Sequence, residues 1–592
     1  VDKNDFETNA ETASTGNRLS RPNETGFETN AETASRGERL NHPNGVETNA
    51  ETPARGERLN RPGGGFVRQA AVLGGASLFV RLLGFFYRVP LTAIIGDEGN
   101  AFYASAYQVY ITILNLSSVF MIAAISRLTS ERIALKRYRD AHSLFKTAMI
   151  FSLCLGTVGS LLMFFGADAI TRALQFREGT QYAIRAISPA IFIVAMLAVF
   201  RGYFQGMKTA FPTAISQVVE QVFNISFSLW LAFLFFDAAN ASETVHFSAA
   251  GATAGTAIAA LAALSVVAFI YLMVSKALKK RADDDPTEAQ EPRRQQLHAI
   301  LRTGLPMVAG LTVFSAIGLL DISMANNRLY ASGAFAPSEI DVLVGQFTGK
   351  FVLLTTLPIA LSMALSAAVI PEITAAHVTG DTEGVREKTN LALRLAMILS
   401  FPAAVGLAVL ADPILAMLFP LHPEGGRLLR VGAASIVFLA IVHVATGVLQ
   451  GVGRIKAPVM GVLAGVVVKI PLNWYLLAQP EINILGAVIS TIACFAVAAV
   501  VNLFFLRRYT GFFPNITGTL LKPFFAAVGM GFVCYAAYNL LYLFAPNLIA
   551  TLVTIGIAGF TYVALMVIMR GFGARELDAL PVPMRVRRWL RY

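Results

Sequence analysis

The sequence is short of charge, cysteine and histidine, and each shortage removes a class of protein. Only 14% of its 592 residues are Asp, Glu, Lys or Arg, against roughly a quarter in an ordinary soluble domain. A single soluble core also stops growing at about 250–300 residues. A large cytosolic enzyme is thereby excluded. The three cysteines, Cys154, Cys494 and Cys534, lie far apart inside apolar runs with no Cys-x-x-Cys pair, which leaves neither a disulfide framework nor a zinc site. The seven histidines are scattered, and only His443 lies clearly within an apolar run. With no Walker loop or nucleophile elbow either, no enzyme activity, cofactor or metal site is assigned.

What the sequence has in excess is hydrophobicity, at 55% of residues and a mean hydropathy of +0.59. It is gathered into fourteen runs, at 71–95, 101–126, 143–166, 183–205, 212–236, 248–275, 303–325, 345–370, 391–411, 429–449, 457–477, 484–505, 519–544 and 548–570. At 1.5 Å per helical residue each run can cross a hydrocarbon layer of about 30 Å. Lipid offers no partner for an unpaired backbone group, so the runs are expected to be helices. The ten-residue alternation of a barrel is not their pattern. The expected fold is an all-α polytopic membrane protein of fourteen transmembrane helices.

The formal net charge of +11 raises the question of nucleic acid, and the placement of the charge answers it. Residues 1–62 carry eleven acids and eight bases, so the positive excess lies in the rest of the chain. That leading stretch repeats itself: Glu7-Thr-Asn-Ala-Glu-Thr12 recurs at Glu28–Thr33 and Glu47–Thr52. The copies are too short and polar to bury a face against each other, and residues 1–65 read as a disordered repeat tail rather than a signal peptide. If the amino terminus is cytoplasmic, the loops facing inside hold 32 Lys and Arg against six outside. This asymmetry puts both termini in the cytoplasm. The positive charge is then a cytoplasmic collar, and no nucleic-acid partner is needed.

The widest polar gap, 276–302, separates an N-lobe at 66–275 from a C-lobe at 303–508, each of six spans. Two further spans follow at 509–571 and a basic tail at 572–592, where Trp589 and Tyr592 sit among four arginines and suit a lipid headgroup layer. The lobes read as copies of each other. Phe204-Gln205-Gly206 with Pro212 soon after has a counterpart in Leu449-Gln450-Gly451 with Pro458. Six-span parallel repeats place a substrate path between the lobes.

Several phrases resemble those of a known family. Arg201-Gly-Tyr-Phe-Gln-Gly206, running on through Pro212-Thr-Ala-Ile-Ser-Gln-Val-Val-Glu-Gln221, looks like the signature of polysaccharide transporters of the stage V sporulation protein B type. Leu82-Leu-Gly-Phe-Phe-Tyr-Arg-Val-Pro-Leu91, Gly345-Gln-Phe, Leu357-Pro-Ile-Ala360 and Val468-Lys-Ile-Pro-Leu-Asn473 fit the same group. The group is similar to the MurJ-type lipid II flippases, in the superfamily that also holds multidrug extruders. The resemblance implies two pseudo-symmetric lobes, alternating access in a bacterial plasma membrane, and export of a lipid-linked oligosaccharide carrying a pyrophosphate. It also implies a polyprenyl groove on the last two spans, a coupling ion (Na+ or H+) or the membrane potential as energy source, and the cell-wall synthesis machinery as partner. A cation-coupled multidrug antiporter of the same superfamily is the alternative.

A few ionisable residues fall at membrane depth, where charge is costly and usually faces a polar cavity. Arg81 and Arg88 are seven residues apart, on almost one helix face and about 10 Å apart along the axis, a spacing suited to a diphosphate. Lys350 and Lys469 are the other expected substrate-binding cations. Glu220 lies about 12 Å into the fifth span and shares a face with Gln217, Asn224 and Ser228. Glu220, Gln217 and Asn224 are the expected gating or ion-coupling group, with a structural ion pair as the plainer reading of Glu220. Arg201 is expected to snorkel to the cytoplasmic surface, and Asp321 to be a loop-edge acid.

Overall fold

The computed structural model describes residues 79–116, 120–237, 240–285 and 291–572. The repeat tail, part of the 276–302 linker and the basic stretch beyond Phe572 lie outside the described residues. All regular structure in the described residues is helical. The first set of helices is α1 (Phe79–Phe86), α2 (Arg88–Leu114), α3 (Phe120–Ala134), α4 (Tyr138–Phe165), α5 (Ala167–Ala173), α6 (Thr180–Ile187), α7 (Pro189–Gly206), α8 (Phe211–Leu234) and α9 (Ala241–Asp283). The second is α10 (Arg293–Ser332), α11 (Pro337–Gln346), α12 (Val352–Val378), α13 (Thr382–Val409), α14 (Ala411–Leu418), α15 (Gly426–Gly432), α16 (Ser435–Gly451), α17 (Lys456–Leu476) and α18 (Leu485–Thr510). It is followed by α19 (Lys522–Tyr542) and α20 (Asn547–Ile568).

Among the described residues, ten helices are long and apolar enough to cross a membrane, or twelve if each of two bent pairs counts as one span. One such pair is α1 with α2, bent by 42°. The expected first and second spans share α2 because the chain turns inside it at Gly96, whose φ of 66° and ψ of −174° suit a residue without Cβ. Prolines open α7, α8 and α19, where the missing N–H costs no helical bond.

The related phrases of the two halves have one physical origin. On α7, Gly202 and Gly206 lie against α3, where a Cβ would meet the Ile122 carbonyl oxygen at 2.9 Å and the Ser126 carbonyl oxygen at 2.8 Å. On α16, Gly447 and Gly451 lie against α12, and a Cβ would meet the carbonyls of Ser366 at 2.8 Å and Ile370 at 3.1 Å. Four-residue glycine spacing lets two helix backbones approach, which is how helices associate where lipid supplies no hydrophobic drive. The same contact is thus built twice, once in each half.

The apolar cores show how the halves meet. Toward the end carrying the α5–α6 and α10–α11 connections, one cluster joins Ala101, Val109 and Ile187 of the first set to Ile340, Phe347 and Leu485 of the second. Toward the other end the clusters separate. Phe120, Phe145 and Tyr203 pack with Ile300 from the start of α10, while Ile373, Leu393 and Leu449 form a core of the second set alone.

Candidate functional site

A cavity of about 790 Å³ lies between the two sets, lined by Arg81, Arg88, Tyr107 and Gln108 from the first and by Thr348, Thr355 and Asp321 among others from the second. Arg81 projects from α1 and Arg88 opens α2, so the bend at Tyr87 sits between the two cations. Neither belongs to an ion pair among the described residues. Arg81 Nη1 makes a weak contact with the Met363 sulfur at 3.6 Å. Arg88 is held by aromatic faces: its guanidinium carbon lies 4.3 Å from the centre of the Tyr103 ring and 5.8 Å from that of Tyr87. The two tyrosine hydroxyls bond each other at 2.7 Å, and Tyr107 stacks on Tyr103 at 5.7 Å. Gln108 donates to the Ser315 carbonyl at 2.7 Å across the gap between the sets.

The other expected site residues are not in the cavity lining, and each charged one has a partner. Lys350 is 1% exposed; its Nζ donates to Asp97 Oδ2 at 2.7 Å and to the carbonyls of His422 at 2.7 Å and Glu424 at 2.9 Å. These contacts use all three ammonium hydrogens. Lys469 pairs with Asp321 at 3.0 Å and donates to Thr491 Oγ1 at 2.5 Å. Asn473 donates to the other oxygen of Asp321 at 2.8 Å. Asp321 is therefore a buried counter-ion rather than a loop-edge acid, because α10 continues seven residues beyond the apolar run that suggested its end. Glu220 accepts from Arg201 Nη2 at 2.6 Å, and Arg201 also donates to Ser216 Oγ at 3.0 Å. Arg201 is 8% exposed and so is buried where snorkelling was expected. Gln217 is partly buried on the same helix. Asn224 accepts from Ser228 at 3.1 Å and from Thr256 at 3.2 Å, so this end of the polar stripe binds α8 to α9.

With these pairs formed, Arg81 and Arg88 are the cations of the cavity lining that no carboxylate neutralises among the described residues. A chamber of this charge suits an anion and repels a cation. Among the described residues no group of three His, Cys, Asp or Glu side chains could hold a metal ion.

At the end where the core is shared, two ionic contacts cross between the sets. One is Lys350–Asp97, whose carboxylate is almost fully buried. In the other, Arg177 of the α5–α6 loop pairs with both Glu98 and Asp341 of α11. The packing there is close: a Cβ on Gly345 would sit 1.8 Å from the Asp97 carbonyl oxygen. Sequence reading missed Asp97, Tyr103 and Gln108. An acid between two apolar runs and an aromatic inside one carry no local mark of role, whereas Gln108 had a signal as an amide inside the second span.

An all-helical bundle with a charged cavity between two related helix sets defines a polytopic membrane transport protein rather than an enzyme. The chain belongs to the family described as polysaccharide biosynthesis protein, which matches residues 66–377, and the MatE family matches residues 346–475. It is 25% identical to the lipid II flippase MurJ of Bacillus subtilis (strain 168), over 75% of this chain and 83% of that protein. It is also 25% identical to stage V sporulation protein B of the same organism, over 87% and 98%. Among solved structures, the lipid II flippase MurJ in an inward closed conformation superposes with a TM-score of 0.63 at 15% identity, covering 84% of this chain and 98% of that one. An inward-facing multidrug resistance MATE family transporter gives 0.60 at 18%, covering 73% and 98%. These two likenesses concern the fold.

Proposed function

We propose that the protein is a flippase for a lipid-linked saccharide whose headgroup is joined to its lipid by a pyrophosphate, lipid II or a related precursor, in a bacterial plasma membrane. The observation that carries this reading is the pair of guanidiniums, Arg81 and Arg88, facing one cavity whose lining acid, Asp321, is already paired with Lys469. A pyrophosphate bridging them gains charge-assisted bonds from planar forks that suit phosphate oxygens. The contacts that close one end of the cavity involve loops the charge asymmetry assigns to the outside, so this state takes its ligand from the cytoplasm. Release outside requires the Lys350–Asp97 and Arg177 contacts to part while the lobes rock, a motion driven by the membrane potential or an ion gradient. The products serve cell-wall or polysaccharide synthesis.

The test is transport of fluorescent lipid II by the purified protein in vesicles. Arg81→Ala and Arg88→Ala are each expected to lower the rate by about 10- to 100-fold, the size of a lost bond to a charged group. Equal transport by wild type and the double variant would overturn the reading. The MatE match favours a second one, a cation-coupled drug antiporter. It predicts efflux of a cationic dye that depends on Glu220, and it has the cavity charge against it.

A further inference from the structure

A second cavity, of about 580 Å³, lies where the start of α4, the end of α9 and the start of α10 converge. Its lining brings Arg139, Lys146, Lys279 and Arg293 together with Asp283 and Glu291. Glu291 is already shared by Arg132 and by Arg137, the latter at 3.1 Å. Lys146, Lys279 and Arg293 belong to no ion pair among the described residues. Among the described residues of the lining, like charges therefore converge with one acid, Asp283, left to face them.

The walls are fixed by buried contacts that leave the side-chain charges of Lys146, Lys279 and Arg293 unused. The Glu291 N–H donates to Asp140 Oδ1 at 3.0 Å, the Arg139 N–H to Asp285 Oδ2 at 2.8 Å, and Thr147 Oγ1 to Gln296 Oε1 at 2.6 Å. Asp140 and Gln296 are fully or almost fully buried. Holding free cations on a rigid frame costs repulsion that an anion would relieve. Lys146 lies just inside the apolar part of α4 and Lys279 just beyond that of α9, so the pocket opens at headgroup depth. Basic pockets between membrane helices on the cytoplasmic side recognise phosphate headgroups.

We propose that this pocket is an anion site for a phosphate group, carried either by an anionic phospholipid or by a free phosphorylated solute. It is separate from the central cavity and does not depend on what that cavity transports. Lys146 and Lys279 belong to the first helix set, whereas Arg293 begins the helix leading into the second. An occupied site therefore ties the linker to the first set.

The experiment is native mass spectrometry of the full chain carrying Arg81→Ala and Arg88→Ala, so that the central cavity contributes no anion binding. Phosphatidylglycerol is titrated against phosphatidylcholine, with and without millimolar inorganic pyrophosphate. Adding Lys146→Ala with Lys279→Ala is expected to weaken phosphatidylglycerol or pyrophosphate binding by about 30-fold, while exposed Lys208→Ala outside the pocket leaves it unchanged. Phosphatidylglycerol binding that pyrophosphate does not displace assigns the site to a lipid. Pyrophosphate binding or displacement assigns it to a free phosphate. Indifference of both ligands to the two lysines overturns the proposal.

Discussion

Arg88 is a charged side chain oriented without being neutralised. A carboxylate would fix it as firmly but would cancel the charge an anionic ligand needs. The Tyr103 face, held in turn by the Tyr87 hydroxyl and by Tyr107, orients the guanidinium and leaves its donors free. A cation over a desolvated ring is worth about 2 kcal/mol. Tyr103→Leu is therefore expected to weaken binding of the pyrophosphate-bearing lipid by roughly 10- to 30-fold, while Tyr103→Phe, which keeps the face, stays within about three-fold. Titrating both variants with labelled lipid in detergent checks this, and equal losses would mean the hydroxyl matters rather than the ring. At this scale sequence reading had mixed reach. Helical spacing put Arg81 and Arg88 near each other and both line one cavity, whereas the bend at Tyr87 between them had no local mark. The partner of Lys350 was not legible, since Asp97 lies 253 residues away and only packing brings the two together.

At the scale of the element, the duplicated glycine contacts explain why the two halves share a phrase. Gly202 with Gly206 and Gly447 with Gly451 set the distance between α3 and α7 and between α12 and α16. Gly206→Leu and Gly451→Leu are each expected to destabilise the protein by about 1–3 kcal/mol, the cost of overpacking. Lowered melting temperatures in detergent, with a smaller effect for the alanine variants, is the outcome to look for. The apolar runs were legible from composition because hydrophobic length is a local property. Their boundaries were less so, since α2 passes through the turn at Gly96 and α10 continues beyond its apolar run into polar residues. That extra length buries Asp321.

At the scale of the whole molecule, the halves share one core at one end, while at the other the first set's core takes in Ile300 from the start of α10 and the second set keeps a core of its own, and the Lys350–Asp97 and Arg177–Asp341 contacts lie where the core is shared. Breaking one buried pair leaves an uncompensated charge, at about 3–5 kcal/mol. Asp97→Asn is therefore expected to shift the population strongly toward states open at that end. Distances between spin labels on α2 and α11 should lengthen in this variant, and an unchanged distribution would show that the pair does not hold the closed state.

The two uncompensated guanidiniums also make the empty protein a charged body inside an electric field. A pyrophosphate with two negative charges would cancel them, so the loaded carrier would cross the field nearly neutral while the empty one returned with charge exposed. A unit charge traversing the full membrane responds by about 2.3 kcal/mol per 100 mV. An inside-negative voltage would then act on the return stroke and draw the vacant site back toward the cytoplasm. Currents on a solid-supported membrane should accordingly vanish in Arg81→Ala with Arg88→Ala, and reverse in sign when the voltage is inverted.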